Sequence, residues 1–292
     1  MNVLSLFDGI SCAQIALNKL NVKYENYFAS EIDSYAISIT QKNYPNTIQL
    51  GDVSKIETSL LPFIDLLVGG SPCQDLSIAK GKTREGLSGN RSGLFFQYVR
   101  ILHELRKINP DIKFVLENVE SMTDENRDVI TKEMGVEPIM IDATLVSAQQ
   151  RKRYFWTNIE GIEQPEDLGL TVRHIIDVSK QRKYLSPVNV VKSKRGVKWD
   201  TSGKGYFSQQ DRAYSILGKF PTIPTARTIT KLNVLFEDGS IGVLNWHEAE
   251  RLQCIPDNYT DLGLVNRVEK RGAVIGNCFN VDVMAHILKS LK

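Results

Sequence analysis

A thiol, a carboxyl and two guanidiniums stand at the ends of apolar runs in this chain, where α/β proteins gather their chemistry. Cys73 follows the run Asp65-Leu66-Leu67-Val68 and the turn Gly69-Gly70-Ser71-Pro72. Glu117 and Asn118 close the run that begins at Phe114. Arg151 and Arg153 stand in Gln149-Gln150-Arg151-Lys152-Arg153, just ahead of another run. Each has an ordinary structural reading: a cysteine is usually just buried, a strand-end acid salt-bridged, and a turn arginine solvated. Brought to one cleft, the four suit attack on a polar, electron-poor ring.

Carbon 5 of cytosine is one position that needs such help. It is a poor nucleophile until a thiolate adds at carbon 6 and makes it enamine-like. A carboxylic acid at ring N3 stabilises the charge that the addition creates. A free thiol of pKa ~8.5 is only a few per cent ionised near neutrality. Loop amides and nearby arginines raise that fraction.

The elements that must position these groups are legible as alternating apolar runs and amphipathic stretches. Strands are predicted at 3–7, 27–30, 47–50, 65–70, 114–119, 139–146 and 154–159, and helices at 13–20, 34–42 and 94–105. Phe95, Val99, Leu102 and Leu105 share one face of the last helix. The alternation predicts a doubly wound, mostly parallel seven-stranded α/β sheet with helices on both faces. From about residue 160 to 225 the periodicity weakens, while prolines, glycines and aromatics scatter, and a lobe of loops and short strands is expected. Beyond Arg227 the apolar runs return, ending in a helix predicted at 281–291. A catalytic domain of 1–159 plus 227–292 and a lobe of 160–226 follow.

Early strand ends carry a second set of groups. Phe7-Asp8-Gly9-Ile10-Ser11-Cys12 follows the first strand and opens the first helix, where glycine lets backbone approach a ligand. Glu31 lies 22 residues beyond Gly9, a place where an acid commonly accepts from a ribose diol. Asp52 ends the third strand. Either acid could be no more than a helix cap or turn residue. Together they favour an adenosine-bearing cofactor, either NAD or S-adenosylmethionine.

The bulk properties are those of an ordinary soluble globular protein. The chain has 292 residues, 42% hydrophobic and 24% charged, with four cysteines (Cys12, Cys73, Cys254, Cys278) far apart. That spacing offers neither a metal site nor a disulfide framework and points to a reducing compartment. The N-terminus lacks the pattern of a signal peptide, and no run reaches the ~18 apolar residues of a membrane span. A soluble, cytoplasmic or nucleoid-associated protein is expected. Net charge is +2, but residues 173–219 hold eleven Lys and Arg against three Asp and Glu, a local +8 that leaves −6 elsewhere. Such a segment is either a solvated face or the footprint of a polyanion.

With these motifs in order, the chain resembles the C5-cytosine DNA methyltransferases over nearly its whole length. Phe7-Asp8-Gly9 is similar to the family's first cofactor motif, Ser71-Pro72-Cys73-Gln74 to its nucleophile motif, Glu117-Asn118-Val119 to its N3-contact motif, and 149–153 to Gln-x-Arg-x-Arg. Ala226-Arg227-Thr228-Ile229-Thr230, His247-Glu248-Ala249-Glu250-Arg251-Leu252-Gln253 with Ile255-Pro256-Asp257, and Gly276-Asn277-Cys278 resemble the motifs that follow.

The resemblance implies S-adenosylmethionine as cofactor, S-adenosylhomocysteine as product and no metal. Cys73 would be the nucleophile, Glu117 the N3 contact with Asn118 beside it, and Arg151 and Arg153 the holders of that acid and of the base's O2. Phe7 would stack on adenine, with Asp8, Gly9, Ile10, Ser11 and Cys12 in the same cofactor loop. Glu31 and Ile32 would meet the ribose region, and Asp52 and Val53 the adenine edge. Pro72, Asn277 and Cys278 would complete the cofactor site. The implied substrate is duplex DNA with its target cytosine flipped out, read by the 160–226 lobe. Gln74, Ser77, Gln209, Gln210, Arg212, Arg227 and Thr228 are the candidate DNA contacts. A cognate restriction nuclease could accompany the enzyme.

Two departures matter. Ser11 and Cys12 stand where the family usually has a second glycine region. That variation, and the run Ser71–Ser77, resemble the animal de novo branch. The recognition lobe is also short for a bacterial restriction-type enzyme, which suggests a short site or little readout beyond the target base. Three alternatives are weighed: a tRNA cytosine methyltransferase with the same motifs, a catalytically silent DNA-binding regulator, and an NAD-dependent oxidoreductase. The last is disfavoured by the single-glycine loop.

Overall fold

The computed structural model describes the chain apart from residues 73–75, 77–85, 90–91, 178–189, 194–195, 200–212, 225–231, 264–267 and 292. Cys73, Gln74, Ser77, Gln209, Gln210, Arg212, Arg227 and Thr228 therefore lie outside the described residues. The chain divides into two compact units. The first comprises Met1–Asp142, Lys152–Gln164 and Val283–Lys292; the second comprises Ala143–Arg151 and Pro165–Asp282. The second unit contains 165–226 of the expected lobe together with residues 143–151 and 227–282, and residues 160–164 belong to the first.

The first unit is built on seven strands: β1 (Asn2–Leu6), β2 (Asn26–Ser30), β3 (Ile48–Gln49), β4 (Leu66–Gly70), β5 (Lys113–Val119), β6 (Ile139–Asp142) and β7 (Lys152–Thr157). Their spatial order is β3-β2-β1-β4-β5-β7-β6. The pairs from β3 through β5 are parallel, whereas β7 runs antiparallel to both β5 and β6. The central strands are buried on both faces, which is why Val3, Leu4, Leu66, Leu67, Val68, Phe114, Val115 and Leu116 form near-continuous apolar runs. Strand order reverses between β1 and β4, and a ligand crevice of an open α/β sheet lies outside strand ends at such a switch point. Phe7-Asp8-Gly9 follows β1 and Ser71-Pro72 follows β4, so both motifs stand there.

Helices α1 (Cys12–Lys19), α2 (Ser34–Asn43), α3 (Phe95–Arg106) and α4 (Asp124–Met134) belong to this unit. The α3 helix buries Phe95, Tyr98, Val99, Ile101, Leu102 and Leu105, a fuller face than periodicity predicts. Its Tyr98 ring presses on Gly69 so closely that a Cβ there would sit 2.8 Å from a ring carbon and 3.0 Å from the Leu6 carbonyl. Gly69 is thus required by packing at the root of the Ser71-Pro72 turn. One strand expectation needs correcting. The strand predicted at 139–146 stops at Asp142, because residues Ala143–Leu145 turn into a short 3-10 helix. The α4 helix was not anticipated: of its eleven residues only Ile130 and Met134 are buried.

The second unit holds an antiparallel pair, β8 (Val190–Ser193) and β9 (Gly196–Trp199), and a three-stranded sheet of β10 (Ala213–Ser215), β11 (Asn233–Leu235) and β12 (Ile241–Val243). It also holds α5 (Trp246–Leu252) and α6 (Val268–Asn277). Its core gathers Val172, Ile216, Phe220, Val234, Leu252 and Ile275. The terminal helix α7 runs Val281–Leu288 and belongs to the first unit from Val283 on, and the remainder of the predicted 281–291 helix tightens into a 3-10 turn. Among the described residues no helix is long and apolar enough to cross a membrane.

Candidate active site

The loop after β1 has an unusual backbone. Phe7, Gly9 and Ser11 all adopt left-handed conformations, with φ of 55°, 59° and 59°. For Phe7 and Ser11 this is strain that surrounding structure must hold. Asp8 supplies the anchor. Its amide continues the ladder to the Ser30 carbonyl at 3.0 Å, and its carbonyl accepts from the Ser11 amide at 3.1 Å. Its carboxyl accepts from the Tyr27 hydroxyl at 2.9 Å and from the Ser11 hydroxyl. The Ser11 hydroxyl also lies 3.1 Å from that of Thr40. Burial raises the Asp8 carboxyl from its ordinary 3.8 to about 6, against the lowering effect of its hydroxyl partners. Asp8 therefore belongs to the framework of this loop.

Glu31 joins that loop to the end of β2. One carboxylate oxygen accepts from the Gly9 amide at 2.8 Å, and the other accepts from the Ile32 and Asp33 amides, each at 2.8 Å. Ile32 is 75% exposed, an apolar side chain held in the open immediately after the acid. Asp33 caps α2, accepting from the Tyr35 and Ala36 amides. At the end of β3, Asp52 accepts from the Ser54 amide at 2.9 Å and the Ser54 hydroxyl at 2.8 Å. These bonds hold its carboxyl below the usual range. Val53 is buried, and its carbonyl accepts from Arg100 on α3 at 3.2 Å. Arg100 also reaches the Ile56 carbonyl and pairs with Glu104. No sequence motif singles out Arg100; only its Glu four residues on gives a signal.

These residues fit an adenosine-bearing cation. A Cβ built on Gly9 would meet no atom within 4 Å, so space over the loop is open to a ligand. Apolar Phe7 and Ile32 offer a stacking surface, and the acids Glu31 and Asp52 offer acceptors for hydroxyl and amino groups, in this unit.

The reactive groups stand further along the sheet. In register, Gly70 of β4 lies opposite Glu117 of β5, three residues before Cys73. Glu117 is 9% exposed and forms an ion pair with the Arg153 Nε at 2.8 Å. Register explains the meeting: Glu117 pairs with Phe155 and Val119 with Arg153, so the two charges are diagonal neighbours on one face. Asn118 points to the other face and is fully buried. Its side-chain amide donates to the Ser71 hydroxyl at 3.0 Å and the Ser71 carbonyl at 3.3 Å, while its oxygen accepts from the Val119 amide at 2.8 Å. Adjacent residues of β5 thus divide the work: Glu117 faces the guanidinium, and Asn118 pins the turn that leads to Cys73.

Arg151 belongs to the second unit and is 5% exposed. Its segment is zipped to 218–222: the Phe220 amide donates to the Ala148 carbonyl and the Gln150 amide to the Phe220 carbonyl, both at 2.7 Å. Two guanidinium nitrogens of Arg151 donate to the carbonyls of Gly276 and Cys278, at 3.3 and 2.8 Å. In the same unit α5 roots the chain before residue 178. Glu248 accepts from the Asp177 amide at 3.0 Å, and Arg251 donates to the Ile175 carbonyl at 2.9 Å. Glu248 and Arg251 carried no role in the sequence reading, although their motif was noted.

The seven-stranded sheet, with β7 antiparallel between β5 and β6, has the Rossmann-like fold of methyltransferases. Residues 1–292 match the model of the C-5 cytosine-specific DNA methylases, and the chain belongs to that family. It is 36% identical over 197 residues to the orphan methyltransferase M.SPRI of Bacillus phage SPR, covering 62% of this chain and 44% of the phage protein. It is 29% identical over 309 residues to the type II methyltransferase M.NgoBV of Neisseria gonorrhoeae, covering 89% and 71%. The match thus spans less than half the length of the phage relative. The solved Entamoeba histolytica methyltransferase EhMeth has the same fold, with a TM-score of 0.73 at 15% identity over 100% of this chain and 99% of that one. The S. pombe Dnmt2 methyltransferase gives 0.68 at 16% identity, covering 100% and 98%.

Proposed function

We propose that the chain is an S-adenosylmethionine-dependent DNA (cytosine-5-)-methyltransferase that attacks a flipped cytosine through Cys73. The observation that carries this reading is the largely buried Glu117–Arg153 pair, with Glu117 on the strand beside the turn that leads to the thiol. Cys73 adds to carbon 6 as Glu117, oriented by Arg153, stabilises charge at N3. S-adenosylmethionine, held by Phe7, Asp8, Gly9, Ile10, Ser11, Cys12, Glu31, Ile32, Asp52, Val53, Pro72, Asn277 and Cys278, supplies an electrophilic methyl group when bound. Carbon 5 takes that methyl group, which leaves S-adenosylhomocysteine; a general base then takes the carbon 5 proton, and the electron pair of that bond re-forms the ring double bond and expels the Cys73 thiolate. Asn118 acts one step back, by fixing Ser71.

Duplex DNA is the proposed substrate, with base readout in the 160–226 lobe. The local +8 charge of residues 173–219 supports a polyanionic partner. Gln74, Ser77, Arg212, Arg227 and Thr228 are the proposed DNA contacts. The names of the bacterial relatives support a restriction-modification setting, with a cognate nuclease as further partner. The test is methyl transfer from labelled S-adenosylmethionine to duplex DNA and to total tRNA, side by side. Label in DNA as 5-methylcytosine is the expected result. Label in tRNA alone would replace this reading with RNA methylation, and label in neither would favour a silent regulator.

A further inference from the structure

A helix ends with carbonyls that have no partner inside it, and in most helices water or a glycine turn satisfies them. The end of α6 is treated differently. The Ile275 carbonyl accepts from the Gln253 side-chain amide at 2.9 Å and from the Cys278 thiol at 3.1 Å. The carbonyls of Gly276 and Cys278 accept from the two arms of the Arg151 guanidinium, at 3.3 and 2.8 Å. Just beyond, the Val281 amide donates to the Gln253 carbonyl at 3.0 Å, and the Asn280 side chain donates to the Leu252 carbonyl at 3.3 Å. Gln253 is fully buried, and Arg151 and Asn280 are each 5% exposed.

The one exposed residue in this clamped stretch, 274–281, is Asn277. It lies between the two carbonyls that Arg151 grips, and every residue flanking it is buried. A planar fork bridging the carbonyls of residues 276 and 278 fixes the direction in which residue 277 leaves the backbone. A lysine carries the same charge but has no fork and cannot span both oxygens.

We infer that Arg151 and Gln253 are positioning residues for the cofactor, which they serve by fixing Asn277 and Cys278 at the end of α6. This rests on the proposal that those two residues contact S-adenosylmethionine. It gives the first arginine of the Gln-x-Arg-x-Arg motif a task distinct from that of Arg153, which meets the carboxylate.

The test measures S-adenosylhomocysteine affinity by calorimetry, and KM and kcat for methyl transfer, in R151K, Q253M, N277A and the control R153K. Loss of a charge-assisted bond on this scale weakens affinity about tenfold. In R151K, Kd and KM for the cofactor are expected to rise about tenfold, with kcat at saturating cofactor falling less than about threefold. Q253M is expected to move the same way by a smaller factor, and R153K to lose kcat with cofactor Kd unchanged. R151K combined with N277A should weaken binding little more than either alone, since both act on one contact. If N277A leaves affinity intact, the cofactor role of Asn277 fails. If N277A weakens affinity while R151K and Q253M bind normally, the positioning inference alone fails. A lowered kcat with unchanged cofactor Kd in R151K would likewise overturn it, and would place Arg151 with Arg153 at the base. Should R151K fold poorly, the milder Q253M carries the same test.

Discussion

The carboxylate of Glu117 and the guanidinium of Arg153 meet at 2.8 Å from diagonal positions on two antiparallel strands, β5 and β7. Their side chains keep only 12% and 15% of their surface exposed. Such a pair points one carboxylate oxygen at a partner chosen by strand register. Glu117→Gln keeps the shape and removes the acid. It is expected to lower kcat for methyl transfer by about a hundredfold or more, with S-adenosylhomocysteine affinity changed less than about twofold. Equal losses in kcat and cofactor affinity would make the pair structural.

Asn118→Ala removes both bonds to Ser71 and leaves the Ser71 hydroxyl buried. A stability loss of about 1–3 kcal/mol is expected by urea unfolding. Formation of the covalent adduct with substrate should also slow, because the turn leading to Cys73 loses its pin. Unchanged adduct kinetics in a well-folded variant would remove Asn118 from the positioning of that turn.

Asp8 predicts a pH dependence of stability. Its folded carboxyl titrates near 6, above its unfolded value of 3.8. The folded state therefore holds the proton more tightly than the unfolded chain. Its contribution is fully present below about 3.8 and is lost as pH rises through about 6. Relative to Asp8→Asn, the wild type should lose stability on the order of 3 kcal/mol across that window. Parallel unfolding curves for the two proteins from pH 4 to pH 7 would show that Asp8 does not titrate there.

Gly69→Ala is predicted to destabilise by about 1–3 kcal/mol, because the added methyl runs into the Tyr98 ring and the Leu6 carbonyl. Adding Tyr98→Leu should recover part of that loss. Thermal unfolding of the two variants decides it: a neutral Gly69→Ala would mean that α3 can shift without cost.

The strands were legible because they are buried on both faces and end in polar residues. Leu66–Gly70 followed by Ser71 is such a case, as is Lys113–Val119 with its Glu117 and Asn118. The antiparallel sense of β7 was not legible, since Lys152–Thr157 reads the same in either direction. The α4 helix escaped because its burial rests on Ile130 and Met134 alone, although the Thr123 cap and Gly135 at its end were there to read. The site divided along the same line. Acids and the thiol motif announce themselves by residue type and place. Arg100 and Arg151 were harder to interpret because they bind backbone carbonyls, which every residue carries.

The central claim concerns one sulfur and one ring carbon. Incubating the protein and S-adenosylmethionine with a duplex bearing 5-fluorocytosine at target sites, then mapping the trapped peptide by mass spectrometry, tests it most directly. Fluorine cannot leave as the carbon 5 proton does, so the account predicts a stable adduct on Cys73 that carries the transferred methyl group and is absent from Cys73→Ser. An adduct mapped to another residue, or full methyl transfer by Cys73→Ser, would contradict it.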